Sequence, residues 1–203
     1  MIKTLIFDFG DVFINLDKLI IKKEFSNLGI SEITEEMLRV FYKYESGKIC
    51  TDEILSHFKN AYGLSSVDFI KAWNSIILDF PEYRLEFIEE LRNGNNYNLI
   101  LLSNTNDLHI NCVKESMGLE RYQRFKLSFH NFYLSHEIKL RKPNKDIFEF
   151  VINSNNLIPH ECLFVDDTFD NTQSAKSLGI NVWNNDPKTE DVVDLFSIKK
   201  ELF

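Results

Sequence analysis

The sequence predicts an α/β protein with a helical domain inserted after its first strand. Short apolar runs that end in polar residues recur along the chain, and segments of helical spacing separate them from position 81 onward. Strands that alternate with helices are typical of a parallel sheet covered on both faces. Between positions 17 and 79, by contrast, four helical segments follow one another without a strand. We therefore predict a Rossmann-like three-layer core and a small α-helical cap domain.

Composition narrows the class of protein. The chain has 203 residues, enough for one generous domain or for a core with an insertion. A formal charge of -8 argues against nucleic acid or an anionic membrane as a partner. The three cysteines are widely spaced, and no apolar run resembles a signal peptide or a membrane span. These features favour a cytoplasmic protein that acts on a small molecule.

The first predicted strand is the apolar run from Leu5 to Phe7, which stops at Asp8. Ligands of open α/β sheets bind beyond the carboxyl ends of the strands. Asp8 is therefore either a carboxylate presented to a site or the cap of a turn. This stretch alone leaves both interpretations open.

The next segment changes to helical spacing. Apolar residues recur every three or four positions, and they predict helices that end at Gly29, near Gly47, at Gly63 and at Leu78. Thr51, followed by two acidic residues, is predicted to cap the third of these helices. Four consecutive helices do not fit a βαβ unit, so we assign 16–80 to the cap domain. The core then consists of 1–15 and 81–203.

The second half of the chain alternates helices and strands. In order, the pattern predicts a helix from Pro81 to Gly94, a strand Leu99–Leu102, a helix to Met117, a weaker strand Phe129–Tyr133, a helix after Lys142-Pro143, a strand Cys162–Val165, a helix Thr168–Leu178 and a strand Ile180–Trp183. The carboxyl ends of parallel strands meet at one edge of a sheet, so residues far apart in the sequence converge there.

Polar side chains mark three of these strand ends and one loop. They are Asp8, Ser103 with Asn104, Asp166 with Asp167, and Lys142. Carboxylates from two strands can share Mg²⁺ with a substrate phosphate, and a carboxylate beside that phosphate can act as a nucleophile. Hydroxyl, amide and ammonium groups are suitable donors to phosphoryl oxygens. Each residue also has an ordinary alternative as a turn cap or a solvated charge.

The sequence resembles hydrolases of the haloacid dehalogenase superfamily that carry a helical cap. Four stretches in the expected order, together with a cap segment, give a likeness over nearly the whole chain. They are Phe7-Asp-Phe-Gly-Asp-Val, Leu102-Ser-Asn-Thr-Asn, Leu134-Ser-His-Glu-Ile-Lys-Leu-Arg-Lys-Pro, Phe164-Val-Asp-Asp-Thr-Phe-Asp-Asn and the cap segment Tyr44-Glu-Ser-Gly-Lys-Ile. Within the superfamily, the sequence is most similar to the bacterial α-D-glucose-1-phosphate phosphatase-like branch.

The resemblance implies a phosphatase site. Asp8 would be the nucleophile that becomes an aspartyl phosphate, and Lys142 would neutralise charge between nucleophile and phosphate. Ser103 and the amide of Asn104 would bind the phosphoryl oxygens. The implied substrate is a small phosphate ester, such as a hexose 1-phosphate.

The resemblance also implies Mg²⁺ as the cofactor. Its ligands would be Asp8, the carbonyl of Gly10, and Asp167 with Asp166 beside it. The sequence departs from the usual motif at Gly10, where the superfamily commonly has a second aspartate as general acid and base. The branch named above also carries glycine there. Asp11 could supply a proton through a water, although a role in capping the turn fits an aspartate at this place better.

Four further residues have no settled role. His109, Trp73, Tyr44 and Glu45 either face the substrate through the cap or serve packing, and packing is the commoner role of such residues. Two other functions compete with the phosphatase. A haloacid dehalogenase also lacks the second aspartate but needs no metal, whereas a catalytically silent phosphometabolite-binding protein would explain Gly10. The sequence identifies neither the physiological substrate nor the oligomeric state.

Overall fold

Five parallel strands form a single sheet at the centre of the protein. The computed structural model describes all residues from 1 to 203. The strands are β1 (Thr4–Phe7), β2 (Asn98–Ser103), β3 (Asn131–Leu134), β4 (Cys162–Asp166) and β5 (Asn181–Asn184). Their order across the sheet is β3-β2-β1-β4-β5. This confirms the predicted α/β class and the parallel sheet.

Helices make up most of the remainder. They are α1 (Ile20–Asn27), α2 (Glu35–Glu45), α3 (Thr51–Tyr62), α4 (Ser66–Asn74), α5 (Glu82–Gly94), α6 (Asp107–Met117), α7 (Leu119–Leu127), α8 (Ser135–Ile138), α9 (Lys145–Ser154), α10 (Phe169–Lys176) and α11 (Leu195–Ile198). Short 3-10 helices span Pro159–Glu161, Val192–Asp194 and Lys200–Leu202. None of the helices combines the length and the apolarity that crossing a bilayer requires.

The sheet is buried on both faces. Leu5 and Phe7 of β1 belong to one hydrophobic cluster, whereas Ile6 between them belongs to another. Successive side chains of a strand point to opposite faces, so the two clusters lie on the two sides of the sheet. Layers of helices therefore cover both faces, and this explains why the strands are continuously apolar in sequence.

Helices α1 to α4 have a hydrophobic cluster of their own. It is centred on buried aromatic side chains that include Phe25, Phe58 and Phe69, and only Leu108 of α6 joins it from outside the insertion. The chain enters and leaves this group through two antiparallel segments, which pair Leu16 with Ile77. These features are consistent with a cap at 16–80 on a core of 1–15 and 81–203, and that division stays a prediction.

Several elements differ from the predicted ones, among them the short helices α8 and α11, which were not predicted. Helix α4 ends at Asn74 instead of Leu78, because the residues that follow pair with the segment leading into the cap. Thr51 is the first residue of α3, and Cys50 precedes it with its N–H bonded to the Glu53 carboxylate at 2.7 Å. Helix α7 was not predicted at all. Gly118, with φ +84°, follows the last residue of α6 and precedes the first residue of α7. The sequence pattern indicated only that a helix ends there.

Candidate active site

Strand register brings three polar strand ends together. Phe7 pairs with Leu101 of β2 and with Val165 of β4, so Asp8 lies level with Asp166. The Asp8 N–H donates to the Val165 carbonyl at 2.9 Å, which extends the pairing by one residue. The chain adds β2 and then β3 on one side of β1. It then crosses back, so that β4 lies on the other side of β1. A crevice at such a switch point is where ligands of α/β sheets bind.

Lys142 is fully buried at this crevice. Its Nζ lies 2.9 Å from Asp8 Oδ1 and 2.7 Å from Asp166 Oδ2, and it donates to the Leu102 carbonyl at 2.8 Å. Burial alone would lower the pKa of Lys142, but the two carboxylates raise it above its ordinary value. Lys142 therefore carries a full positive charge between two strand ends.

Asp8 is nearly as well buried, with 8 % of its surface exposed. Burial raises the pKa of Asp8 to about 7, and the charge of Lys142 opposes that rise. Oδ1 of Asp8 lies 2.9 Å from the Lys142 ammonium. This ion pair compensates part of the cost of burying the carboxylate.

The two neighbouring aspartates at the end of β4 differ in their contacts. Asp166 is fully buried and accepts from the N–H of Thr168, from Asn171 Nδ2 and from Lys142. Its carboxylate thus holds Lys142 in position. Asp167 is partly exposed and is paired with Lys18. Asp167 is the more available of the two, and the predicted metal-binding roles of both stay predictions.

The carboxylates of Asp8, Asp166 and Asp167 can hold a cation together. One oxygen from each lies within 4.8 Å of the others. Each of the three carboxylates contacts an ammonium group, of Lys142 or of Lys18, so the cluster attracts positive charge, and carboxylate oxygens are the ligands that a hard divalent ion prefers. Gly10 lies two residues beyond Asp8, and its carbonyl as a ligand stays a prediction.

Ser103 and Asn104 follow β2 on the other side of Asp8. Ser103 is buried, and its hydroxyl makes no hydrogen bond within the protein. The side chain of Asn104 exchanges two hydrogen bonds with the main chain of Lys142, at 2.9 and 3.0 Å. The Asn104 side chain therefore fixes the lysine loop, which leaves the main-chain N–H for the predicted phosphoryl contact. A cavity of about 50 Å³ is lined by Ser103 and Asn104, and also by Gly10 and His109.

The position of Gly10 is crowded by the end of the Leu16 side chain. A Cβ atom there would lie 2.7 Å from Cδ1 of Leu16. Asp11 has φ +54°, and its carboxylate accepts from the Leu16 N–H at 3.0 Å, which fits the favoured role in capping the turn. The other oxygen of Asp11 pairs with Lys18 at 2.9 Å. Both oxygens of Asp11 thus serve the turn and its neighbouring charge.

His109 and Trp73 join the core to the insertion. The rings stack at 5.1 Å, and His109 Nε2 donates to the Trp73 carbonyl at 3.1 Å. His109 Nδ1 then accepts from Asn106 Nδ2, and Asn106 Oδ1 accepts from the Trp73 indole. Burial lowers the pKa of His109 to about 4, so its ring is neutral at pH 7. These contacts fit the commoner role of packing, and a contact with substrate through the cap stays a prediction.

Tyr44 and Glu45 of α2 also make contacts with the core. The Tyr44 hydroxyl accepts from the Leu108 N–H at 3.2 Å. Glu45 pairs with Arg141 at 2.7 Å, and Arg141 donates to the Lys142 carbonyl at 2.8 Å. The insertion therefore contacts the loop that carries the buried lysine. Sequence reasoning did not identify Lys18, Asn171 or Arg141, because a lone polar residue in a helix or loop gives no signal of a distant partner.

Comparison with known proteins defines the class of the protein. Residues 2–179 match the haloacid dehalogenase-like hydrolase family. The chain therefore belongs to this family and is a hydrolase, which confirms the family resemblance seen in the sequence. The narrower glucose-1-phosphate branch stays a prediction.

Individual relatives cover almost the whole chain. A family enzyme of Bacteroides thetaiotaomicron, an aspartate-to-alanine mutant crystallised with magnesium and inorganic phosphate, is 32% identical with a TM-score of 0.82 and covers 97% of this chain and 99% of its own. A hydrolase of the same family from Porphyromonas gingivalis has a TM-score of 0.82 at 28% identity over 100% of this chain and 98% of its own. The D-ribitol-5-phosphate phosphatase of B. thetaiotaomicron is 28% identical over 190 residues, 90% of this chain and 91% of its own.

Proposed function

We propose that this hydrolase is a Mg²⁺-dependent phosphatase of a small phosphorylated metabolite and works through an aspartyl phosphate on Asp8. The observation that carries the proposal is the buried ammonium of Lys142 between Asp8 and Asp166, which together with Asp167 form a set of carboxylates that can hold a cation. Magnesium and phosphate are present together in the crystal of one relative, and another relative is named as a phosphatase. Both support the same chemistry here.

The chain's own residues perform the two displacements. A carboxylate oxygen of Asp8 attacks the phosphorus, the bond to the ester oxygen breaks, and the leaving group takes a proton from water. Lys142 stabilises charge on the phosphoryl oxygens and is held in place by Asp166. Water then attacks the phosphorus of the aspartyl phosphate, which releases phosphate and restores Asp8. Bound at Asp8 and Asp167, Mg²⁺ would supply further charge stabilisation and orient the phosphoryl group.

The substrate class we favour is a sugar or sugar-alcohol phosphate. The phosphatase relative acts on a phosphorylated pentitol, and the glucose-1-phosphate branch that the sequence resembles acts on a phosphorylated hexose. A cavity of about 410 Å³ lies in the insertion and shares His109 with the small cavity at Ser103 and Gly10. Its volume is within the range of small-molecule pockets. Its lining is mostly apolar, with Glu45 and Lys22 as the charged side chains, so the preference for a sugar or sugar-alcohol phosphate rests on the relatives.

A panel of phosphate esters tests the function. We expect turnover of one or more sugar or polyol phosphates with Mg²⁺. Chelation of the metal with EDTA should abolish this turnover, and added Mg²⁺ should restore it. Release of inorganic phosphate measures the reaction. Halide release from 2-haloacids without metal would instead favour a dehalogenase. Tight binding of a phosphate ester without any turnover would indicate a silent binding protein.

Because Gly10 has no carboxyl group, we make a separate prediction about leaving groups. General acid help is commonly worth about 10²–10⁴-fold in rate. Without it, turnover of aryl phosphates should fall steeply as the pKa of the leaving phenol rises. We expect the slope to flatten when an acid is restored by Gly10→Asp in combination with Leu16→Ala. The second substitution removes the atom that would lie 2.7 Å from the new Cβ.

Leu16→Ala alone is the matched control for that experiment. It opens the same space without adding an acid, so it should keep the steep dependence. A shallow slope in the wild-type chain, measured under conditions in which phosphorus–oxygen cleavage limits the rate, would show that position 10 does not determine the range of substrates. An equal dependence on the pKa of the leaving phenol in the wild type, in Leu16→Ala and in the double variant would lead to the same conclusion.

A further inference from the structure

Lys18 lies on the segment that leads from the core into the insertion, and its ammonium bridges two aspartates. It contacts Oδ2 of Asp167 and lies 2.9 Å from Oδ2 of Asp11. The Lys18 side chain is half exposed, whereas both carboxylates are about nine-tenths buried. A cavity of about 700 Å³ opens beside this group. The ammonium is therefore more exposed to solvent than its two partners, which lie at the edge of the same cavity.

The charges around the site explain why a cation belongs there. Lys142 pairs with Asp8 and Asp166, which leaves Asp11 and Asp167 without any positive partner except Lys18. Like charges at such short range disfavour one another when they are poorly solvated. Without metal, Lys18 is the only basic side chain in contact with Asp167.

The two partners of Lys18 are held differently. Oδ1 of Asp11 accepts from the Leu16 N–H at 3.0 Å, and the Asp11 carbonyl accepts from Asn185. Asp11 is therefore fixed by its own turn. Asp167 belongs to the set of three carboxylates that can hold a cation, so it has a second possible partner. A metal at Asp167 would displace Lys18, which can keep its contact with Asp11.

We propose that Lys18 is an exchangeable counter-ion: it occupies Asp167 in the metal-free enzyme and pairs with Asp11 alone once Mg²⁺ binds. The inference rests on the metal site of the proposed function. It makes Lys18 a positioning residue that weakens the affinity for Mg²⁺ and stabilises the metal-free fold. It also gives Asp11 a role, namely to receive the displaced ammonium.

Calorimetric titration of EDTA-stripped protein with Mg²⁺ tests the proposal without any substrate. Lys18→Met keeps most of the side chain but removes the charge, and we expect Mg²⁺ to bind roughly three- to tenfold more tightly. Lys188→Met is the matched control. Lys188 lines the same cavity but has no carboxylate within ion-pair distance, so its removal should leave the affinity unchanged. Equal or weaker binding by Lys18→Met would overturn the proposal.

A double-mutant cycle distinguishes the exchange of Lys18 between Asp167 and Asp11 from a general effect of its charge on Mg²⁺ binding. Asp11→Asn removes the second partner of Lys18, so it should weaken Mg²⁺ binding in the wild-type chain but have little effect in Lys18→Met. Additive effects of the two substitutions would overturn the exchange. Thermal unfolding supplies a second readout: Lys18→Met should lower the Tm in EDTA, and saturating Mg²⁺ should abolish the difference.

The failure of this inference can be told apart from that of the proposed function. If the wild-type chain binds no Mg²⁺, the metal site itself is wrong and both proposals fail. If the wild-type chain binds Mg²⁺ while Lys18→Met behaves like it in both affinity and Tm, only the counter-ion is wrong.

Discussion

Asp8→Asn is expected to reduce turnover by about 10⁴–10⁶-fold, the scale seen when a covalent nucleophile is removed from a hydrolase. Asparagine keeps the shape of the side chain, but its amide cannot attack phosphorus as a carboxylate does. Asp8 is buried at the end of β1 and pairs with Lys142, whereas the carboxylate of Asp166 beside it is already bound by Thr168 and Asn171. Phosphate release under saturating substrate and Mg²⁺ measures the effect.

A second measurement distinguishes a nucleophile from a mere metal ligand. Acid quenching of the wild-type enzyme during turnover should trap phosphate covalently on Asp8, and Asp8→Asn should trap none. Asp170→Asn is the matched control, because it removes an exposed aspartate from the nearby helix α10. Turnover by Asp8→Asn within about tenfold of the wild type would contradict the assignment, since no covalent route would then be needed.

Lys142→Met should have the next largest effect, a loss of about 10²–10³-fold in turnover at pH 7. The substitution removes the one charge that lies between Asp8 and Asp166 and could face a phosphoryl group. It also removes the influence that lowers the pKa of Asp8, which burial has already raised to about 7. Since only the ionised carboxylate attacks, the rising limb of the pH–rate profile should move to higher pH.

Two controls keep that result interpretable. Lys145→Met removes an exposed lysine at the start of α9 and should change neither rate nor pH profile. Because Lys142→Met leaves two buried carboxylates without their partner, its folding must be verified by Tm before rates are compared. A folded Lys142→Met enzyme with normal turnover and an unshifted profile would contradict the role of Lys142.

The sequence determined the fold class and the candidate residues. Short apolar runs, each ending in a polar residue, defined strands β1, β2 and β4, because a strand buried on both faces tolerates few polar side chains before its end. Helical spacing with glycine stops placed most helices within a few residues. Asp8, Ser103, Lys142 and Asp167 were identified from motifs in the expected order. All of these features depend on short segments of the chain, which explains why they could be predicted without the structure.

Contacts between distant residues were decided by the tertiary structure alone. The sequence grouped Asp166 with Asp167 as metal ligands, which stays a prediction, but only the register of β1 and β4 shows that Asp166 lies against Lys142 and Asp167 against Lys18. The bonds between the Asn104 side chain and the main chain of Lys142 could likewise not be seen in the sequence. A side chain's partner depends on which strand ends are neighbours and on how deeply each charge is buried. No short segment of sequence encodes either quantity.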